Sequence, residues 1–167
     1  VNGPSSPKLA AGDHYGADIA NMGDLDGDGV IDIAVGADEK DTHGLNSYDK
    51  GRGAVYIHYL NSDGSLKEGT VQIKHGIANG PDVTVHGGYG NSVENIGDLD
   101  GDGVNDMAVG ENHLGTYAAR GNLHIHFMNA DGSIKSTTET DSYQKRDLLG
   151  IGSNYNMFGT AIVGIGD

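Results

Sequence analysis

Apolar and polar positions alternate in short runs along most of the chain. Val55, Ile57 and Tyr59 alternate with Tyr56 and His58, and Leu123, Ile125 and Phe127 alternate with His124 and His126. Ile31, Ile33 and Val35 form a third run of the same kind. Period two, with β-branched and aromatic residues enriched, marks β-strands. No segment sustains a helical period. Asn61-Ser62-Asp63-Gly64 and Asn129-Ala130-Asp131-Gly132 close two of the runs, and Asp-Gly is a strong hairpin signal. The pattern predicts strands at about 15–22, 30–36, 53–60 and 65–73, and again at about 89–96, 104–110, 121–128 and 133–140.

The second set of strands is a copy of the first. Residues 15–36, YGADIANMGDLDGDGVIDIAVG, return at 89–110 as YGNSVENIGDLDGDGVNDMAVG, an offset of 74. Gly53 to Lys67 returns as Gly121 to Lys135 at an offset of 68, and the difference falls in 37–52 against 111–120. A third copy begins at Phe158-Gly159 and runs to Asp167. The expected organisation is a lead-in at 1–14, a first unit with its connector at 15–88, a second at 89–157, and the start of a third at 158–167. Four antiparallel strands per repeat make the blade of a β-propeller. A two-sheet sandwich would use the same strands, but the repeat favours the propeller. The expected fold is therefore all-β, an incomplete propeller of about two blades plus the first strand of a third. A closed ring has typically about four to eight blades, so the chain reads as a piece of a larger ring that breaks off where a third acidic loop would start.

Composition narrows the function. Ten Lys and Arg against 24 Asp and Glu leave a formal charge of −14 over 167 residues. Nucleic acid and anionic membrane surfaces both call for basic patches, so neither is an expected partner. With no cysteine, disulfides, thiolate metal sites and cysteine nucleophiles are excluded. No apolar run approaches the roughly 20 residues of a membrane helix, and Val1-Asn2-Gly3-Pro4 carries no signal-peptide pattern. Glycine, at 29 residues, fits tight turns between short strands.

The acids are not spread evenly. Asp24-Leu25-Asp26-Gly27-Asp28-Gly29-Val30-Ile31-Asp32 returns as Asp98-Leu99-Asp100-Gly101-Asp102-Gly103-Val104-Asn105-Asp106. Carboxylates at positions 1, 3, 5 and 9, with glycine at 6, match a calcium loop. Alternate residues there turn oxygens inward, position 7 offers a carbonyl, and glycine permits the sharp turn. Four carboxylates in nine residues repel one another unless a cation joins them, and an all-oxygen, flexible set suits Ca²⁺ better than Mg²⁺. Position 12 is Val35 or Val109, where an EF-hand requires a bidentate Glu, and no helical period flanks either loop. The expectation is a calcium-bound β-hairpin, two sites in all. These loops hold eight of the 24 acids, and two Ca²⁺ would bring the charge from −14 to −10.

With these motifs in place, the chain resembles the FG-GAP repeats of integrin α-chain β-propellers and their prokaryotic relatives. The family's Phe-Gly stands here as Tyr15-Gly16, Tyr89-Gly90 and Phe158-Gly159. Its Gly-Ala-Pro stands as Gly36-Ala37-Asp38 and as Gly110-Glu111-Asn112, and its Gly-x-Val-Tyr strand as Gly53-Ala54-Val55-Tyr56-Ile57 with a weaker copy at Gly121 to Ile125. The resemblance implies calcium ligands Asp24, Asp26, Asp28, the Val30 carbonyl and Asp32, and in the second blade Asp98, Asp100, Asp102, the Val104 carbonyl and Asp106. It implies a structural ion, and partners on loops at the face opposite the calcium loops. Those loops are 37–52, 74–88, 111–120 and 141–157, with Tyr48, Arg52, Tyr117 and Arg120 as candidate contacts.

Other chemistry is sparse. His124 and His126 share a strand face with the spacing of a transition-metal pair, but a third ligand is not evident, and packing is the favoured reading. His14, His43, His75, His86 and His113 fall in predicted loops and are expected to be solvated. There is no Gly-x-Ser-x-Gly elbow, no phosphate-cradling loop, no glycosylation sequon and no Arg-Gly-Asp. The expected function is that of a non-catalytic, calcium-binding propeller segment of a cell-surface, secreted or periplasmic protein, serving adhesion or protein–protein scaffolding. The alternatives are an accessory propeller of a larger extracellular enzyme and a structural unit that self-assembles.

Overall fold

A computed structural model describes residues 7, 9–38, 51–83, 86–112, 121–141 and 158–164. Eight strands make up the regular structure: β1 Tyr15–Gly23, β2 Asp32–Ala37, β3 Ala54–His58, β4 Val71–Lys74, β5 Tyr89–Gly97, β6 Asp106–Glu111, β7 Asn122–Met128 and β8 Ile134–Asp141. They form two four-stranded sheets in the orders β1-β2-β3-β4 and β5-β6-β7-β8. Each neighbouring pair is antiparallel, so each sheet is a simple meander. These are two propeller blades, and they do not close into a ring. Among the described residues there is no α-helix, and none that could cross a membrane.

The predicted strands are present, with one clear shift. The fourth strand, expected at 65–73, runs only from Val71 to Lys74. Gly69 takes a φ of +101°, a left-handed conformation that interrupts the extended run. Before it, a Leu60–Leu66 bridge, the Lys67 N–H to Tyr59 carbonyl bond and the Asn61 N–H to Ser65 carbonyl bond (both 2.8 Å) continue the pairing. The second copy has no glycine at the equivalent point, and β8 extends unbroken after a bulge at Lys135.

The blades stack through opposite faces. Ala20, Met22, Ala34, Val55, Ile57 and Ile73 of the first meet Tyr89, Val93, Met107, Val109 and Met128 of the second in one apolar core. The junction requires bare backbone. A β-carbon on Gly36 would fall well inside contact distance of the Gly90 carbonyl oxygen, and one on Gly53 would strike the Tyr89 backbone. The Tyr89 N–H donates to the Arg52 carbonyl at 2.9 Å, and Val93 N–H to Asp18 Oδ2 at 2.9 Å. The third copy repeats this docking. Gly110 faces the Gly159 carbonyl and Gly121 the Phe158 backbone, and Ser92 Oγ donates to the Gly159 carbonyl at 2.6 Å. Its described residues, 158–164, thus seat on the second blade without joining a ladder. The Tyr/Phe-Gly glycines 16, 90 and 159 all have φ between +79° and +92°, a region other residues rarely enter.

The histidines pack, as expected. His124 and His126 are fully buried and stacked, with Tyr89 edge-on to both. Thr137 Oγ1 donates its one hydrogen to the Asn79 carbonyl at 2.6 Å. His126 Nδ1, 2.8 Å from that oxygen, must therefore be the donor, which leaves Nε2 to accept from the Tyr89 hydroxyl at 2.7 Å. His126 is thus a neutral Nδ1–H tautomer. Burial, with His124 beside it, pushes its pKa down to about 3. The unfolded chain titrates it near its ordinary value of about 6.5. As pH falls the unfolded state takes up the proton first, so stability is lost between about 6.5 and 3. At pH 5 the loss is about 2 kcal/mol relative to neutral pH. Urea unfolding at pH 7 and pH 5 is expected to show it, and a His126→Gln variant to lose most of that difference. A parallel pH dependence in the variant would remove His126 as its source.

Candidate metal centre

Each acidic loop joins the first two strands of its blade, between Gly23 and Asp32 or Gly97 and Asp106. Its shape comes from its own aspartates. Asp24 Oδ1 accepts from the N–H of Gly27 and Asp28 (2.8 and 2.9 Å), and Oδ2 from that of Gly29 (2.8 Å). Asp98 repeats this with Gly101, Asp102 and Gly103 at 2.8, 3.0 and 2.8 Å. Asp28 Oδ1 and Asp102 Oδ1 accept from Val30 and Val104 N–H, both at 2.9 Å. The two valines lie half-buried in the turn.

Asp24, Asp26 and Asp28 bring carboxylate oxygens within 4.8 Å of one another, and so do Asp98, Asp100 and Asp106. These are the metal-capable groupings among the described residues, and no histidine belongs to either. The donors are all hard oxygens, which suits a hard divalent cation. The two loops are not identical in detail: the tight group includes Asp28 but not Asp32 in the first, and Asp106 but not Asp102 in the second.

Asp32 and Asp106 also hold the blade together. Both are fully buried. Asp32 accepts from Leu25 N–H and Leu60 N–H, each at 2.9 Å. Asp106 accepts from Leu99 N–H at 2.8 Å and Met128 N–H at 3.0 Å. Asp32 ties the start of its acidic loop to the residues just past β3, and Asp106 ties its own to the last residue of β7. Burial raises the Asp106 pKa, against the two N–H bonds that lower it.

Two lysines complete the loops. Lys67 Nζ lies 2.6 Å from both Asp26 Oδ2 and Asp28 Oδ2. Lys135 Nζ lies 2.7 Å from Asp100 Oδ2 and 2.8 Å from Asp102 Oδ2. The Lys67 ammonium, then the Val30 N–H, hold the Asp28 carboxyl below its ordinary range, and Lys135 with Val104 do the same for Asp102. Both lysine pKa values rise in return. An ammonium seated between two loop carboxylates marks a place that already draws a cation. Neither lysine stands out from spacing alone. Their signal is recurrence, since Lys67 and Lys135 end the 68-offset match.

The candidate partner contacts are less fully placed. Arg52 donates to the Val83 carbonyl and lies in the junction between the blades. Tyr48, Tyr117 and Arg120 lie outside the described residues. Of the loop histidines, His14 pairs with Asp38 and His75 with Asp82, each at 3.4 Å. His43 and His113 are outside the described residues.

No protein-family profile matches the chain. It is similar to integrin alpha-6 of Gallus gallus, 36% identical over 150 residues, which cover 90% of this chain and 12% of the relative. It is similar to integrin alpha-11 of Homo sapiens, 32% identical over 109 residues, covering 62% and 8%. Integrin alpha-PS5 of Drosophila melanogaster is 30% identical over 102 residues, covering 61% and 9%. The chain spans about a tenth of the length of these relatives.

Proposed function

The chain is an FG-GAP segment of the integrin α-like type, and from that premise we propose that it is a non-catalytic, calcium-stabilised propeller segment of an extracellular or cell-surface protein, working in adhesion through protein partners. The observation that carries the calcium reading is the recurrence of one loop, with the same carboxylate-to-backbone bonds, at the same place in both blades. Asp24, Asp26, Asp28, Asp32 and the Val30 carbonyl would hold one ion. Asp98, Asp100, Asp102, Asp106 and the Val104 carbonyl would hold the other. The ion would join carboxylates that otherwise repel, and so brace each β1–β2 or β5–β6 connection. The partners and adhesive role rest on similarity to integrin α-chains, and the partner-facing loops would be those opposite the acidic ones.

Extracellular calcium modules bind with dissociation constants of roughly 10⁻⁴–10⁻³ M. At ten times that concentration one site adds about 1.4 kcal/mol, and two independent sites about twice as much. Thermal unfolding in millimolar calcium and in excess chelator is expected to differ by about 5–11 °C for a chain of this size. Coincident melting curves would end the structural-calcium reading.

A further inference from the structure

We propose that Lys67 and Lys135 are built-in competitors of the divalent cation, which loosen each loop's hold on calcium and keep the loop folded without it. This rests on the calcium reading of the loops. Both lysines occupy the same repeat position, just after the Asp-Gly hairpin turn that follows the third strand of each blade. Both reach the third- and fifth-position carboxylates of their own loop and no other pair. Their backbones are fixed for it. Lys67 N–H is bonded to the Tyr59 carbonyl, and Lys135 is the extra residue of a bulge between the Ser136 and Ile134 pairings. Bulges commonly re-aim a side chain.

The competition follows from the atoms involved. A divalent ion in this loop needs inward oxygens from positions 1, 3 and 5. Two of those positions already give Oδ2 to an ammonium. For calcium to bind, the ammonium must leave, or stay as a positive neighbour within a few ångströms. Either course weakens binding. A unit charge about 5 Å from a divalent ion, even in water, changes its affinity by on the order of tenfold. Without calcium, the same ammonium offsets the repulsion between Asp26 and Asp28, or between Asp100 and Asp102. The loop thus exchanges one cation for another and never stands as bare carboxylates.

The test is calcium titration by calorimetry of the whole chain, as wild type, Lys67→Met, Lys135→Met and the double variant, with Lys67→Arg as the charge-preserving control. Each methionine variant is expected to bind calcium on the order of tenfold more tightly at one site, and Lys67→Arg to stay at the wild-type value. In chelator the methionine variants are expected to melt below wild type, and in saturating calcium to recover. If a methionine variant does not fold without calcium, Lys67→Gln and Lys135→Gln give the same comparison. A wild type that binds calcium while the methionine variants bind equally or more weakly overturns the role of the lysines alone. A wild type that takes up no calcium overturns the calcium reading with it.

Discussion

Replacing Gly36 by alanine is expected to cost about 3 kcal/mol or more, and the same change at Gly110 to cost distinctly less. Both glycines sit at one position of the second strand, and both face the backbone of the next copy. At Gly36 the obstacle is Gly90, in the short irregular stretch of β5 between the Tyr89–Glu111 and Ser92–Gly110 pairings, which hold it from both sides together with the shared core. Neither side can give way without opening the packing of Val55 and Ile73 on Tyr89 and Val93. Overpacking of a rigid core costs typically 1–3 kcal/mol and occasionally more, and backbone against backbone belongs at the upper end. At Gly110 the obstacles are Gly159, in a segment held by a few bonds and no ladder, and the Ser92 hydroxyl, a side chain that can turn aside. That segment can lift. Thermal unfolding should show a fall of about 6–12 °C for Gly36→Ala and a much smaller one for Gly110→Ala. Equal losses would mean that the Ser92 hydroxyl and the Gly159 segment it bonds do not give way.

Asp32→Ala is expected to destabilise the chain by roughly 2–6 kcal/mol, with calcium or without it. Its two oxygens satisfy two backbone N–H groups, and each orphaned buried donor costs about 1–3 kcal/mol. Asp26 is the contrast. It carries one long backbone bond, at 3.3 Å from the Asp28 N–H, and is exposed. Asp26→Asn should therefore remove the first loop's share of the calcium-dependent stability, about half of it, and leave the melting temperature in chelator nearly unchanged. Asp32→Asn keeps one oxygen acceptor and should fall between wild type and Asp32→Ala. Urea unfolding of the three variants in chelator checks the order. If Asp32→Ala matched wild type there, the carboxylate would be a metal ligand and nothing more.

Much of this architecture was legible in the sequence because its signals are local. Alternation at Val55 to Tyr59 and at Leu123 to Phe127 marks strands, and the 74-residue echo of the acidic loop marks blades. The early break before β4 was visible in principle as Glu68-Gly69, but a lone glycine does not declare the sign of its φ. Long-range relations were harder to read. That Lys67 meets Asp26 and Asp28 depends on how the third-strand hairpin folds back over the loop. That Asp32 serves Leu60 depends on the register of β2 with β3. Gly36 and Gly53 matched a family pattern by letter alone, and their reason, the close approach of the next copy, is a property of two blades together.

The front of each copy and the back of the one before it are different surfaces. Tyr89 and Val93, 0% and 1% exposed, lie against the first blade, while their counterparts Tyr15 and Ile19 are 38% and 60% exposed. A contact of this kind has a direction, like a stair: each step repeats the same rotation and never faces its own mirror image. Such steps either return to the start after a whole number or wind on without end. Which of these happens is decided by the angle at the step, and that angle is set where Gly36, Gly53, Gly110 and Gly121 let two backbones touch. The missing β-carbons are therefore a ruler as well as a clearance. A methyl group added at Gly36 that the chain survived would open the angle at that one step.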